Sequence, residues 1–438
     1  MRTRSSAPTA RRSTFTIPTS PPARPNPPDA CSTRTPTPPE AGLNAMGAPA
    51  GPDHPIIVVG AGIGGLTAAL SLSRHGHAVT IVEAFEAPSE IGAGLQVPPN
   101  ACHVLDRLGL LDALRAKASM PDRICLGDAV TGRIVLTLDA NRAGHADDIY
   151  LTAHRALLHG VLYDAACRDP AITMLTGHRV VDAREEDAKV TLTAAHGGEK
   201  VELEAPAVIG ADGIWSMLRH AVPGAGAPQP TGRIAMRAVV PAPPESQSNA
   251  VIAWMAPHAH LVTYPVRNAD TRNLVAVIRG KVGRATWSEH VDFETLENLF
   301  EKLARTPYGD LGDNAAWTAW PLYTVDPHGA WHSARICLLG DAAHGLEPFA
   351  AQGAAMAIED GHVLARAITE FGADHRAAFA SYHAERADRV RRVAKRTAFN
   401  RFTYHQAGIG RIARNLSFRT RPASAFKADL DWLYGYRA

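Results

Sequence analysis

From Pro55 onward the chain alternates short apolar runs with longer helical patterns. Ile56-Ile57-Val58-Val59 is apolar at four consecutive positions, the pattern of a strand buried on both faces of a parallel sheet. The glycine-rich stretch Gly60 to Gly65 leads into a helix predicted over Leu66 to His75 and stopped by Gly76, and Ala78 to Val82 forms the next strand, ending at Glu83. Together they make a βαβ unit of about 30 residues. His178 to Ala183, Lys189 to Thr193 and Lys200 to Leu203 alternate apolar and polar residues between polar turns, which predicts an antiparallel meander. Ala207-Val208-Ile209-Gly210 follows as another buried strand.

Between Thr231 and Tyr323 the pattern changes to strands rich in β-branched and aromatic residues, at Ile234 to Val240, Val251 to Met255, Leu261 to Val266 and Leu274 to Ile278. A second, sheet-based lobe is expected there, with a helix Phe293 to Ala304 packed on it. Ile336-Cys337-Leu338-Leu339 returns the chain to the first lobe, and from Gly353 the pattern is largely helical to the end. In the basic stretch His383 to Arg401, Val390, Val393, Ala394 and Thr397 fall at helical spacing beneath Arg386, Arg389, Arg392 and Arg396. That predicts a packing helix with a solvated basic face.

Composition narrows the class. A chain of 438 residues with 46% hydrophobic and 20% charged residues exceeds one ordinary domain and can bury a large core. A net charge of +2 gives no electrostatic footprint for nucleic acid. The five cysteines form no C-x-x-C pair, which argues against a disulfide framework and fits a reducing, cytoplasmic setting. No apolar run reaches the roughly 18 residues of a membrane span, and the histidines show no metal-ligand spacing, so no metal is expected. Residues 1–45 carry ten of the 32 prolines and two acids, Asp29 and Glu40. Residues 1–52 read as a disordered tail, with Met46, about ten residues before the first strand, expected as the biological start.

Three motifs carry chemistry. Gly60-Ala61-Gly62-Ile63-Gly64-Gly65 follows a buried strand and opens a helix, with Glu83 placed 23 positions beyond Gly60. This is the context of a dinucleotide fingerprint, in which the glycines admit a pyrophosphate and the acid accepts ribose hydroxyl hydrogen bonds. The second motif is Gly210-Ala211-Asp212-Gly213-Ile214-Trp215-Ser216-Met217-Leu218-Arg219. The third is Leu338-Leu339-Gly340-Asp341-Ala342-Ala343-His344, followed by Gln352-Gly353-Ala354. A carboxylate after a strand can grip a sugar alcohol, and a helix opening on small residues lets backbone amides approach a flat ring. A ribityl chain and an isoalloxazine ring need those two features. Gly408-Ile409-Gly410-Arg411-Ile412-Ala413 has spacing similar to the fingerprint, but it follows a helical segment and is given no function.

In this order the motifs resemble the FAD-dependent aromatic hydroxylases of the salicylate hydroxylase type, single-component flavoprotein monooxygenases, over about Ile56 to Arg392. The resemblance implies an α/β fold: a Rossmann-like FAD-binding domain over 53–230 and 331–400, an inserted β-sheet substrate domain over 231–330, and a C-terminal helical segment over 401–438. It implies that Asp341 holds the ribityl hydroxyls, Arg155 contacts the cofactor, Val180 gives a backbone contact to adenine, and Asp212 and Gly213 serve both FAD and the nicotinamide donor. The helix opening at Gly353 directs its positive dipole end at the flavin. Gly345-Leu346-Glu347 departs from the proline and apolar residues that relatives have there.

The implied reaction uses NAD(P)H to reduce FAD, adds O₂ to form a C4a-hydroperoxyflavin and hydroxylates a small phenolic acid of the salicylate, hydroxybenzoate or hydroxynicotinate type. A halogenase or reductase on the same scaffold is the alternative, and Trp317-Thr318-Ala319-Trp320-Pro321 only partly matches a halogenase motif. One fingerprint leaves NAD(P)H to bind transiently, near Asp212 and Arg219. By the same resemblance His260 and Tyr264 line the substrate pocket, and a histidine titrating near neutrality could take the phenol proton. Gly92 to Gln96 belongs beside the flavin. A monomer or homodimer is expected.

Overall fold

The computed structural model describes residues 55–87, 94–141, 149–242, 249–266, 271–280, 299, 301–308 and 317–438. The tail over 1–52, Gly92 and most of the helix expected at Phe293 to Ala304 lie outside them.

One sheet is wholly parallel. Its strands lie in the order Ile336–Leu338, Val208–Gly210, Ile56–Val59, Val79–Val82, Ile172–Leu175. The apolar runs read from the sequence form its three central strands and the edge strand Ile336–Leu338, buried because helices cover the sheet; the other edge strand, Ile172–Leu175, is not among them. The helix after the first strand covers Ile63–Arg74 and therefore begins inside the glycine motif, three residues earlier than the apolar periodicity predicted. Ile63 to Leu72 are all buried, so no polar stripe marked its start. The meander forms as expected over Arg179–Glu185, Val190–His196 and Glu199–Ala205.

The second large sheet has seven strands, in the order Thr318–Val325, Pro228–Pro241, Thr271–Arg279, Ala259–Val266, Ala250–Ala256, Arg123–Asp128, Arg133–Asp139. Two of them come from well before residue 231, and Arg123–Asp128 pairs with Ala250–Ala256 in parallel. Sequence distance hides such a pairing, because nothing local marks which sheet a strand joins. A two-stranded ladder, Gly94–Val97 with Leu151–His154, is tied to the large sheet by Gly94 N donating to Asn273 Oδ1 (2.6 Å) and Thr152 Oγ1 donating to the Pro265 carbonyl (2.7 Å).

Helices Ile63–Arg74 and Gly353–Phe371 pack at glycine contacts. A Cβ at Gly64 would lie 3.1 Å from Ala357 Cβ, and one at Gly361 would lie 2.7 Å from Ala68 N. The contact positions advance together along both helices, so they run parallel and their N-termini open at the same end. Helix Gly353–Phe371 is in turn bolted to helix His375–Tyr404 by ions. Arg386 binds Glu359 (2.5 Å) and Asp360 (2.7 Å), and Arg389 binds Glu359 (2.7 Å); Glu359, Asp360 and Arg386 have no exposed surface. The basic face of this helix is thus only partly solvated, contrary to the sequence expectation. Arg392 is exposed, whereas Arg386 and Arg389 point inward to carboxylates that the helix's own sequence does not reveal.

Removing one partner from such a cluster strands a buried charge, which costs about 3–5 kcal/mol. Arg386→Met is expected to lower unfolding stability by that amount in a urea titration. A loss below about 1 kcal/mol would show that the cluster is not holding the two helices together.

Candidate functional site

The glycine turn is shaped by contacts on two sides and open on a third. A Cβ at Gly60 would sit 2.6 Å from the Ala211 carbonyl oxygen, and one at Gly65 would sit 2.0 Å from that of Gly60, but one at Gly62 would meet no atom within 4 Å. The first and last glycines are needed by the protein itself. Gly62 leaves the N-terminus of helix Ile63–Arg74 bare, where backbone N–H groups favour an anion. Glu83 accepts from Ala61 N (2.7 Å) and Phe85 N (3.0 Å), which fixes its plane and leaves acceptor capacity on each oxygen. His178 N bonds the Glu83 carbonyl (2.8 Å), so the turn leading to half-buried Val180 is carried to the same corner.

Asp341 opens the short helix Asp341–His344 with its side chain exposed. Behind it, Arg219 staples two motifs together, donating to the carbonyls of Ala342 (2.9 Å), Asp341 (3.1 Å), Ile214 (3.0 Å) and Gly213 (3.4 Å). Its side chain is consumed there and buried. Asp212 is similarly internal in part: one oxygen accepts from Met217 N (2.8 Å) and Leu218 N (3.2 Å), while Oδ1 is buried without a partner. Burial raises its pKa against those hydrogen bonds. Gly213 stands open beside it.

Gln352 caps helix Gly353–Phe371 after Ala351, which holds a left-handed φ of 51°. Its Oε1 accepts from Asn100 Nδ2 (3.0 Å), and the same nitrogen donates to Glu359 Oε1 (2.6 Å). Gln352 Nε2 and Asn100 Oδ1 remain buried and unpartnered, and a Cβ at Gly353 would meet nothing within 4 Å, which also leaves Ala354 at an open helix start. His344 pairs with Asp360 Oδ2 (2.6 Å). Burial alone would raise the Asp360 carboxyl, but His344 and Arg386 outweigh it and hold it at about 2. Glu347, the departure noted in the sequence, is buried and ion-paired to Arg233 (3.1 Å) and Arg401 (2.5 Å), which fixes the loop.

The residues expected from the sequence to line a substrate pocket separate into two groups. Tyr264 is buried in a cluster with Tyr150, Val251 and Val266. His260 lies elsewhere along the same strand, bonded through Nδ1 to His405 Nε2 (3.0 Å) and packed on Phe349 and Tyr404. Burial, and then the neighbouring His405, push the His260 pKa well below the ordinary histidine value, so it does not titrate near neutrality as the sequence reading assumed. Arg155 is exposed at the start of helix Arg155–Arg168, and its charge is felt by Arg237. Arg237 went unnoticed in the sequence. It is half-buried, forms no ion pair among the described residues, and its Nε is shielded without a partner. Its pKa is lowered by burial, opposed by Tyr264. Tyr150 donates to Gln96 (2.6 Å), and Tyr434 of the last helix meets its ring edge-on at 6.0 Å.

Two parallel helix N-termini, with the Glu83 carboxylate after one strand of the parallel sheet and the Asp341 carboxylate after another, form an arrangement suited to a dinucleotide. The unpartnered donor of Gln352 and the open Gly353 suit the flat, hydrogen-bonding edge of a flavin. Comparison with known proteins agrees. The family model described as FAD binding domain matches residues 53–397. The chain is 35% identical to 3-hydroxybenzoate 6-hydroxylase of Klebsiella oxytoca, over 87% of this chain and 96% of that one. It is 35% identical to 6-hydroxynicotinate 3-monooxygenase of Bordetella bronchiseptica, over 77% and 90%. A salicylate hydroxylase substrate complex shares the fold, with a TM-score of 0.72 at 23% identity, covering 87% of this chain and 95% of that one. The chain belongs to this FAD-binding family and is an FAD-dependent monooxygenase of the aromatic hydroxylase class.

Gly62→Ala is expected to leave the apoprotein's thermal midpoint unchanged while weakening FAD binding at least tenfold, because the new methyl meets only the cofactor. Gly65→Ala is expected to destabilise the apoprotein itself. Equal thermal shifts in the two variants, or wild-type flavin affinity in Gly62→Ala, would contradict this geometry.

The paired histidines give a pH prediction. Burial, with the charges of Arg233, His258, Arg279 and Arg401, lowers His405 to about 4, and His260 is lowered as well. Groups whose folded pKa is depressed favour folding only while neutral, so their contribution is present above about pH 6.5 and is lost as pH falls toward 4. Thermal midpoints measured between pH 7.5 and 4.5 should fall less steeply in His405→Gln than in the wild type; parallel slopes would show that the pair does not titrate with unfolding.

Proposed function

We propose that this monooxygenase hydroxylates a small hydroxylated aromatic acid, with NAD(P)H as electron donor and O₂ as the oxygen source. The observation that carries the substrate class is Arg237. Among the described residues this guanidinium meets the Trp320 ring, 5.9 Å from its centre, but no carboxylate, and its Nε is shielded without a partner, an unfavourable arrangement by itself. An anionic ring entering beside Tyr264 supplies the missing charge, and the planar fork of arginine matches a carboxylate. The named relatives act on hydroxybenzoate and hydroxynicotinate, each a ring with one acid group and one hydroxyl, which supports the same chemistry here.

FAD, when bound, supplies the two-electron redox chemistry and the activation of O₂. The chain's part is to hold and shield. The helix starts at Gly62 and Gly353 and the carboxylates of Glu83 and Asp341 hold the cofactor, with Arg155, Val180, Asp212 and Gly213 around it. Gly94 to Gln96, pinned by Asn273 and Tyr150, forms a fixed wall against which a substrate ring is oriented. The apolar and aromatic cluster of Tyr150, Tyr264 and Val266 keeps water out. Tyr264 is raised by burial and His260 is lowered, so neither is proposed as a base at neutral pH. NAD(P)H docks transiently, there being a single dinucleotide fingerprint.

The test is a panel of salicylate, 3-hydroxybenzoate, 6-hydroxynicotinate and phenol, with NADH or NADPH oxidation, O₂ uptake and product measured together. Coupled turnover is expected with an acid and not with phenol. Arg237→Gln should raise KM for that acid by about 10- to 100-fold, the worth of a charge-assisted hydrogen bond, and Arg237→Lys less. Unchanged KM in Arg237→Gln, or equal turnover of phenol, would refute the acid-binding role.

A further inference from the structure

The sheet face that carries Arg237 is covered by two apolar clusters, and they meet beside it. Along strand Thr271–Arg279, Val275 packs with Tyr150, Tyr264 and Val266, and Val277 with Ala235, Phe349 and Trp320. Side chains two apart on a strand share a face, so the clusters are neighbours on one side of the sheet. In register, Arg237 lies opposite Val275 and Ala235 opposite Val277, which puts Arg237 at the junction. The C-terminal helices add one tyrosine to each cluster, Tyr434 to the first and Tyr404 to the second.

Arg396 reaches the same junction from the helices. On helix His375–Tyr404, the residues Arg389, Val393, Arg396, Asn400 and Tyr404 fall on one face at helical spacing. That face is fixed on both sides of Arg396. Arg389 holds the carbonyls of Trp432 and Leu433 beside Tyr434, and Asn400 donates to the Phe349 carbonyl (3.0 Å). The charge of Arg396 is felt by both tyrosine hydroxyls, where it opposes the burial that raises Tyr404 and Tyr434. Its guanidinium lies 5.6 Å from the ring centre of Phe399; the residue is half-buried, and its Nε is shielded without a partner. Among the described residues Arg396, like Arg237, has no ion pair.

We propose that Arg396 is a second anion-binding residue of the substrate pocket, opposite Arg237, and that the aromatic acid is held with a negative oxygen at each end. This rests on the reading of Arg237 as the carboxylate's partner. A guanidinium does not give up its proton in a protein, so each of the two adds unbalanced charge to one apolar junction until an anion meets it. A ligand with two negative groups balances both, and a ligand with one leaves the other unmet. The second group is either a further carboxylate or a ring hydroxyl whose proton is released to the buffer on binding.

The test is calorimetric binding to the full FAD-loaded chain with benzamide, benzoate, isophthalate, terephthalate and 3-hydroxybenzoate as probes. One of the two dicarboxylates is expected to bind tighter than benzoate by roughly tenfold or more, the worth of a charge-assisted hydrogen bond. Arg396→Gln should erase that gain and leave benzoate affinity as it was, Arg396→Lys should keep part of the gain, and Arg237→Gln should weaken benzoate itself. For 3-hydroxybenzoate, titrations in two buffers of different ionisation enthalpy should show a proton released by the wild type and none by Arg396→Gln. A dicarboxylate gain without proton release assigns the second group as a carboxylate; proton release without that gain assigns it as a hydroxyl. Neither signal in the wild type overturns the proposal, as does either one surviving in an Arg396→Gln variant that keeps its flavin and circular dichroism spectrum. Benzamide binding as tightly as benzoate would instead overturn the carboxylate role of Arg237, and this proposal with it.

Discussion

The buried cluster of Glu359 and Asp360 with Arg386 and Arg389 is the constraint on which the cofactor site depends. Two adjacent carboxylates on one helix are satisfied by two arginines on the next, and both carboxylates are without exposed surface. The same carboxylates reach outward. Glu359 orients Asn100, which orients Gln352, and Asp360 accepts from Gly340 N (3.0 Å) and pairs with His344. Gln352 and the Gly340-Asp341 turn are thereby both referred to one rigid centre. A charged centre resists sliding better than an apolar one, because any displacement leaves a charge unpaired in a low-dielectric interior. Arg389 extends the same centre to the C-terminus through the carbonyls of Trp432 and Leu433, at 2.9 Å each. The last helix, with Tyr434 against Tyr150, is thus tied both to this centre and to the cluster around Tyr264.

Arginine has three different roles in this chain, distinguished by what lies opposite. Arg219 is consumed by four backbone carbonyls and serves as a staple between motifs. Arg386, Arg389, Arg411 and Arg414 neutralise buried carboxylates. Arg237 has no such partner among the described residues, and this difference supports a role toward an anionic ligand. The planar guanidinium suits all three roles, since its five donors can be divided among carbonyls, carboxylates or a bound acid.

His260 illustrates how packing overrides residue type. In the strand Ala259–Val266 a histidine four positions before a tyrosine reads as a pair of polar side chains on one face, available for proton transfer. Burial beneath Phe349 and Tyr404, and the bond to His405, make it a neutral partner in a packed contact between the large sheet and the C-terminal helices.

The sequence by itself determined four of the five parallel-sheet strands, all but Ile172–Leu175, the glycine fingerprint with Glu83, the Asp212 and Asp341 motifs and the family they define. These are local features: a buried run, a tight turn or a helix start is specified by residues within a few positions of one another. Tertiary structure alone decided which sheet Arg123–Asp139 joins, that Arg386 and Arg389 face inward, that helix Gly408–Thr420 turns its apolar stripe to solvent, and that Arg237 meets no counterion among the described residues. Each depends on a partner far along the chain, 283 positions away for Arg411 and Asp128. Helical periodicity records how residues share a face; which way that face points is set by the charge buried opposite it, and that charge lies beyond any local window.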